Sequence, residues 1–200
     1  MLIDRIIPYG KTRHKIIMDD GQAILLYNGE IIKLNIEEGR ELDEETYIKT
    51  ILPLLTKRAL ERVVHILETS DKTEAELRRK LKESFYPPEA IDYAIDYCKK
   101  HHYVDDRRYA ENYVKYRSSG KSRRIIKQEL LAKGIDKETV EALLDTAEID
   151  ESEHIAAELK KRHYSIDMED KDKQRIYAAL ARKGYTWSQI QSVTYENFEM

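Results

Sequence analysis

The sequence predicts a mainly helical protein: three tandem copies of a three-helix unit in an elongated arrangement, preceded by a small antiparallel β meander. Three observations predict it. From Asp43 onward apolar residues recur every three or four positions. Residues 1–36 instead carry short β-branched runs punctuated by Asp-Gly and Asn-Gly. The remainder of the chain resembles itself at an interval of 49 to 50 residues, and self-similarity at such a period marks stacked supersecondary units.

The meander is read first. Ile16-Ile17-Met18 runs into Asp20-Gly21, and Ala23 to Tyr27 runs into Asn28-Gly29. Both dipeptides accept the positive φ of tight hairpin turns. Ile32, Leu34 and Ile36 then alternate with Lys33 and Asn35, which reads as a further strand with one face inward. Leu2 to Ile7 adds another candidate, for three or four strands in all. So small a sheet needs cover on its apolar face, and the helical segment that follows is the nearest source. This extension and its linking helix are assigned residues 1–52.

Asp43 is the expected N-cap of that helix, with Glu44 and Glu45 in the first turn, where the helix dipole favours negative charge. Pro53 starts a new helix or kinks this one. The repeats follow at 53–104, 105–149 and 150–200. Leu77 aligns with Ile126 and Ile176, Leu81 with Leu130 and Leu180, and Ile91 with Val140 and Ile190. Phe85 falls on Gly134 and Gly184, where a left-handed residue ends a helix, and Tyr86 on Ile135 and Tyr185. Thr73-Glu74-Ala75-Glu76, Asp150-Glu151-Ser152-Glu153 and Thr186-Trp187-Ser188-Gln189 fit a capping box or its Asp variant. Pro88 suits a first helical position, and Asp105 and Asp136 suit N-caps. Each unit of about 50 residues has little core of its own, so neighbours should lean on one another.

Composition narrows the function. Charged residues make up 36% of the chain, while Leu, Ile, Val and Phe number 48 of 200, enough for small cores. A net charge of −3 excludes a histone-like polycation. No run approaches the roughly 20 apolar residues that span a bilayer, and the first residues lack a secretory pattern. A cytoplasmic monomer is the expectation. One cysteine, Cys98, excludes an internal disulfide framework and a cysteine-based zinc site; it lies on the apolar face of a helix and reads as core. Of six histidines only His101-His102 are close in sequence, and adjacent helical residues point about 100° apart, poor geometry for one metal. Phosphate loop, serine-nucleophile and zinc-protease motifs are all missing. The chain therefore reads as no enzyme, with no catalytic residue, cofactor or metal.

What remains is charge and tyrosine. Residues 107–127 carry Arg107, Arg108, Lys115, Arg117, Lys121, Arg123, Arg124 and Lys127 against Glu111 alone. Arg78, Arg79, Lys80 and Lys82 form a second basic group, in copy one. Both ends of the chain are acidic. A basic middle can address a phosphate backbone or an acidic protein groove; the alternative is a solvated helix face. Sequence-specific reading of DNA is weakly supported, because Gln128 is the one amide beside Arg123, Arg124 and Lys127. Tyrosine supplies 14 of the 17 aromatics. Tyr93, Tyr97, Tyr103, Tyr109, Tyr113 and Tyr116 cluster near the first repeat junction, as helix packing or as a contact surface for a partner or bases.

The run His102-Tyr103-Val104-Asp105-Asp106-Arg107-Arg108-Tyr109-Ala110-Glu111-Asn112-Tyr113-Val114 resembles the signature of the bacterial RecX regulatory proteins. Thr73 to Leu81 and Ser122 to Ile135 resemble the same family, and the third copy is more divergent. Copy one departs from the pattern at Phe85, where a glycine is often found. The resemblance implies a negative regulator of the RecA recombinase. Such a regulator lies along the groove of the RecA–DNA filament and inhibits its ATPase, strand exchange and LexA coprotease activities. It also implies single- or double-stranded DNA as a further partner, since DNA binding is attributed to some members. The alternative is a DNA-binding helical-repeat module acting without RecA.

Overall fold

A computed structural model describes residues 1–117 and 120–198. The chain divides into two compact units, Met1–Asp105 and one beginning at Asp106.

The first unit opens with a three-stranded antiparallel sheet in the order β1 (Ile3–Tyr9), β2 (Arg13–Met18), β3 (Ala23–Tyr27). Period-two alternation sends Ile16, Met18, Ile24 and Leu26 to one face, where all four are buried. Register follows: Ile16 pairs with Ile24, and Ile3 with Met18, with an irregularity between Ile3 and Arg5. The Asp20-Gly21 turn forms as expected, with Gly21 at φ 82°. The Asn28-Gly29 turn does not, and residues 31–36 are not a strand. The chain leaves β3 directly into a short helix, α1 (Asn28–Lys33). Glu30 reaches back to accept the Tyr27 N–H at 2.8 Å, and Asn35, at φ 51°, closes the turn. Ile31 and Leu34 then face the core at helical spacing, while Ile32 is 79% exposed. A six-residue apolar run fits both periods, and the side-chain bond from Glu30 decides for the helix.

Asp43 caps the next segment, accepting the Thr46 N–H at 2.7 Å. One turn, α2 (Glu44–Thr46), widens to a π-helical stretch over Tyr47–Ile51 before α3 (Leu52–Thr69), with Pro53 in its first turn. Pro53 lacks an N–H, and the widened turn lies just before it. Tyr47, Ile51, Leu55, Ala59 and Val63 join the buried face of the sheet in one core. The same core takes in Leu77 and Leu81 of α4 (Glu74–Glu83) and Ile91, Ala94, Ile95 and Cys98 of α5 (Pro88–Lys100). The sheet and the first three-helix unit thus share one interior. Each fully buried Leu or Ile there contributes about 1.5–3 kcal/mol of transfer free energy.

The second unit holds α6 (Asp106–Arg117), α7 (Arg123–Ala132) and α8 (Lys137–Thr146), then α9 (Glu151–Lys161), α10 (Asp170–Arg182) and α11 (Trp187–Phe198). They enclose two clusters, one around Ile126, Leu130 and Val140, the other around Ile155, Leu180 and Ile190. The aligned positions of the repeats are core positions. Helix endings repeat too. The amide of Tyr86 bonds the Leu81 carbonyl at 3.2 Å, Ile135 bonds Leu130 at 3.1 Å, and Tyr185 bonds Leu180 at 3.3 Å, each the long bond of a Schellman motif. The left-handed residue inside the motif is Gly134 (φ 85°), Gly184 (φ 95°) and, in copy one, Phe85 (φ 59°). The three predicted caps form: Thr73 exchanges bonds with Glu76, Thr186 with Gln189, and Asp150 accepts the Glu153 N–H.

Repeats two and three are joined at Gly184. Its carbonyl accepts from Arg124 Nε at 3.4 Å, and the neighbouring Lys183 carbonyl accepts the Ser122 N–H at 3.0 Å. A Cβ at Gly184 would overlap Ser122 Oγ and the Ile125 side chain. Glu151 completes the joint: one oxygen accepts the Arg123 N–H at 2.6 Å and the other takes Gln189 Nε2 at 2.5 Å.

Candidate functional site

The twelve basic residues singled out above fall into two groups. The first is tied into the fold. Arg78 on α4 bonds Glu74 at 2.7 Å and Asp92 of α5 at 2.6 Å. Lys127 on α7, its repeat equivalent, bonds Glu141 of α8 at 2.6 Å, so one interhelical bridge recurs 49 residues on. Lys121 bonds Glu129, which also accepts from the Tyr113 hydroxyl at 2.8 Å. Arg123 caps α8: its guanidinium donates to the Leu144 carbonyl, to Ala147 at 2.8 Å and to Ile149 at 3.5 Å. The first two are orphan carbonyls of the α8 C-terminus. Lys80 is half-buried.

The second group is exposed: Arg79 and Lys82 on α4, Arg107, Arg108, Lys115 and Arg117 on α6, and Arg124 on α7. Arg107 pairs with Glu111 in an exposed bridge at 3.1 Å, and the Arg117 guanidinium sits 5.6 Å from the Tyr113 ring centroid. Arg108 and Lys115 stand seven residues apart on one helical stripe, since seven residues make nearly two turns.

The tyrosines divide in the same way. Tyr109 and Tyr113 pack against the core of the second unit, 6.1 Å apart and stacked. Tyr93, Tyr97 and Tyr103 are 55%, 37% and 55% exposed and form a ladder with His101 along α5. Successive ring centroids are 6.5, 4.3 and 6.1 Å apart. Packing accounts for the first pair, and the exposed ladder is a surface open to contact. Cys98 is core, and burial pushes its thiol up. No grouping of three or more His, Cys, Asp and Glu among the described residues could hold a metal ion, and none of their helices is long and apolar enough to cross a membrane.

A third constellation was not legible in the sequence. Between the sheet and the helices of the first unit lies a cavity of about 340 Å³, lined by Arg13, Arg58, Arg62, Tyr9, Tyr27 and Phe85 among others. Arg58 is clamped by Glu30, one bond at 3.1 Å, and lies 4.5 Å over the Tyr27 ring. Arg13 lies 5.5 Å from the Tyr9 ring. Tyr86 closes the floor, its hydroxyl donating to the Arg58 carbonyl at 3.4 Å. Burial pushes the Tyr86 phenol up, and the charges of Arg58, Arg62 and Arg13 act against that rise. Phe85 and Tyr86 also wall a neighbouring cavity of about 580 Å³, with Lys15, Arg79 and Lys82 at its rim. The Phe85 ring stands edge-on to Tyr9 at 5.8 Å, under Lys15 Nζ at 4.2 Å. These residues come from β1, β2, β3, α3 and α4, so no linear motif announces them.

Three-helix units in tandem, a small sheet sharing the first core, and cations on exposed faces define a helical-repeat protein. Three family descriptions match in sequence: the first RecX three-helix domain over residues 59–98, the second over 105–144 and the third over 150–194. The Regulatory protein RecX of Caldanaerobacter subterraneus subsp. tengcongensis is 32% identical over 173 residues, covering 83% of this chain and 88% of that protein. The one from Clostridium tetani is 28% identical over 197 residues, 92% of this chain and 87% of its own. A crystal structure of regulatory protein RecX superposes with a TM-score of 0.59 at 25% identity, over 99% of this chain and 98% of that one. The RecX of Lactobacillus salivarius shares the fold, with a TM-score of 0.59 at 23% identity, 71% of this chain and 96% of that chain. The chain belongs to the RecX family of regulatory proteins.

Proposed function

We propose that this protein is a negative regulator of the RecA recombinase, which it binds along the RecA–DNA filament to restrain ATP turnover, strand exchange and LexA cleavage. Membership of the RecX family is the observation that carries the reading, and the exposed cations of α4 and α6 supply its physical means. Arg79, Lys82, Arg107, Arg108, Lys115, Arg117 and Arg124 attract an acidic protein surface or the filament's DNA at long range. Arg78, Lys121, Arg123 and Lys127 also contribute positive potential, but their first role is to hold helices together. A protein that contacts neighbouring RecA subunits resists the rearrangements that ATP turnover requires, and so acts by shifting population among filament states.

The second reading is a DNA-binding module indifferent to RecA, favoured by the same cations and by the exposed tyrosine ladder on α5. Affinity for DNA alone and for RecA–DNA filaments, measured side by side at near-physiological salt, separates the two. The regulator reading expects filaments to bind at least about tenfold more tightly and R107E/R108E to weaken that binding. Equal affinities for the two would establish the DNA module in its place.

A further inference from the structure

We propose that the cavity between the sheet and α3 of the first unit is a binding site for a nucleoside phosphate, with Arg13 and Arg62 gripping the phosphate and Tyr9, Tyr27 and Phe85 taking the base.

The chemistry of the lining carries this. Three guanidiniums border a concave space of about 340 Å³ whose lining holds no carboxylate, and Glu30, which pairs with Arg58, is engaged by it. Arg13 and Arg62 form no ion pair among the described residues, and Arg62 is exposed at the rim. Planar guanidiniums match phosphate oxygens two at a time and also stack on rings. Aromatic faces beside them accept a base of any identity. The volume is at the small end of ligand sites, the range of one nucleotide rather than a larger cofactor.

Phe85 shapes the wall. At this helix end copies two and three place glycine, and copy one places phenylalanine in the same left-handed backbone, at φ 59°. His102 and His163 end α5 and α9 in that conformation too, so what distinguishes Phe85 is where its ring goes. Here the ring is fixed by Tyr9 and Lys15 and forms the wall shared by both cavities. The lining chemistry is common to a free nucleotide and to one residue of a single strand. In the second case the neighbouring cavity, rimmed by Lys15, Arg79 and Lys82, would continue the phosphate path. The inference rests on the first unit alone and does not depend on RecA.

The test is calorimetric titration of the full-length protein with thymidine monophosphate, with a short oligothymidylate and with inorganic phosphate. It is repeated for R13A/R62A, for F85G and for K57A, the last removing an exposed α3 cation outside the cavity. The expected result is saturable nucleotide binding, weakened about tenfold or more by R13A/R62A, weakened also by F85G, and unchanged by K57A. Oligothymidylate binding much more tightly than the monophosphate identifies a strand as the source, and equal binding identifies free nucleotide. Should F85G fail to fold, the arginine variant decides alone. No binding of either nucleotide, binding of inorganic phosphate as tight as that of thymidine monophosphate, or an equal loss in K57A would overturn the assignment.

Discussion

Single residues decide more of this structure than their chemistry in isolation conveys. Arg123 and Arg124 are neighbours in a basic run, yet one guanidinium is spent on three carbonyls at and just beyond the end of α8, while the other, exposed, meets the Gly184 carbonyl at 3.4 Å. Sequence alone cannot separate them, because the difference lies in which helix end each meets. Phe85 and Gly184 occupy one repeat position with opposite consequences. Left-handed backbone costs a side-chain-bearing residue about 1–2 kcal/mol, and Phe85 offsets that cost through its contacts with Tyr9 and Lys15. Gly184 has no such option, because Ser122 and Ile125 press against it. Gly184→Ala therefore combines strain and overlap and is expected to destabilise the second unit by about 2–4 kcal/mol. Urea unfolding followed by the fluorescence of Trp187, which lies in that unit, measures it. A loss below about 0.5 kcal/mol would mean that the joint between repeats two and three yields freely.

At the scale of elements, the periodic helices and their caps were readable because local chemistry sets them. Thr73 with Glu76, Thr186 with Gln189, and the apolar positions at 77, 81, 126, 130, 176 and 180 are all local patterns. Residues 31–36 were not readable, since a run that short fits a strand or a helix equally well and the outcome turned on a bond from Glu30. The arginine cavity was hidden for the same kind of reason: its residues meet only when three strands and two helices have packed. Ion pairs within and between helices add a pH signature. The bond from Lys183, with help from Arg162, holds the Glu158 carboxyl below the usual carboxylate range against the opposing effect of burial. Because the folded state favours the ionised form, this stabilisation is complete above the unfolded-state value and is lost as pH falls through the folded one. The second unit should weaken as pH drops below about 4, and Glu158→Gln should flatten that acid limb while lowering stability at neutral pH. An unchanged acid limb in the variant would place the titrating groups elsewhere.

At the scale of the whole molecule, the physical means available to this member of a regulatory family are modest. The described residues hold no metal-binding cluster, and the exposed cations of α4 and α6 sit on a chain whose net charge is −3. Any attraction these cations exert is local in origin and falls as salt rises. The direct test is hydrolysis of ATP by RecA on single-stranded DNA, titrated with this protein and with a variant carrying glutamate at Arg107, Arg108, Lys115 and Arg117. Thermal unfolding of the variant is checked in parallel. Progressive inhibition by the natural protein is expected, weakening as salt rises, with about tenfold or more variant needed for the same effect. Undiminished hydrolysis at saturating protein would contradict the regulatory reading. Inhibition identical in the two proteins would contradict the part given to the α6 cations.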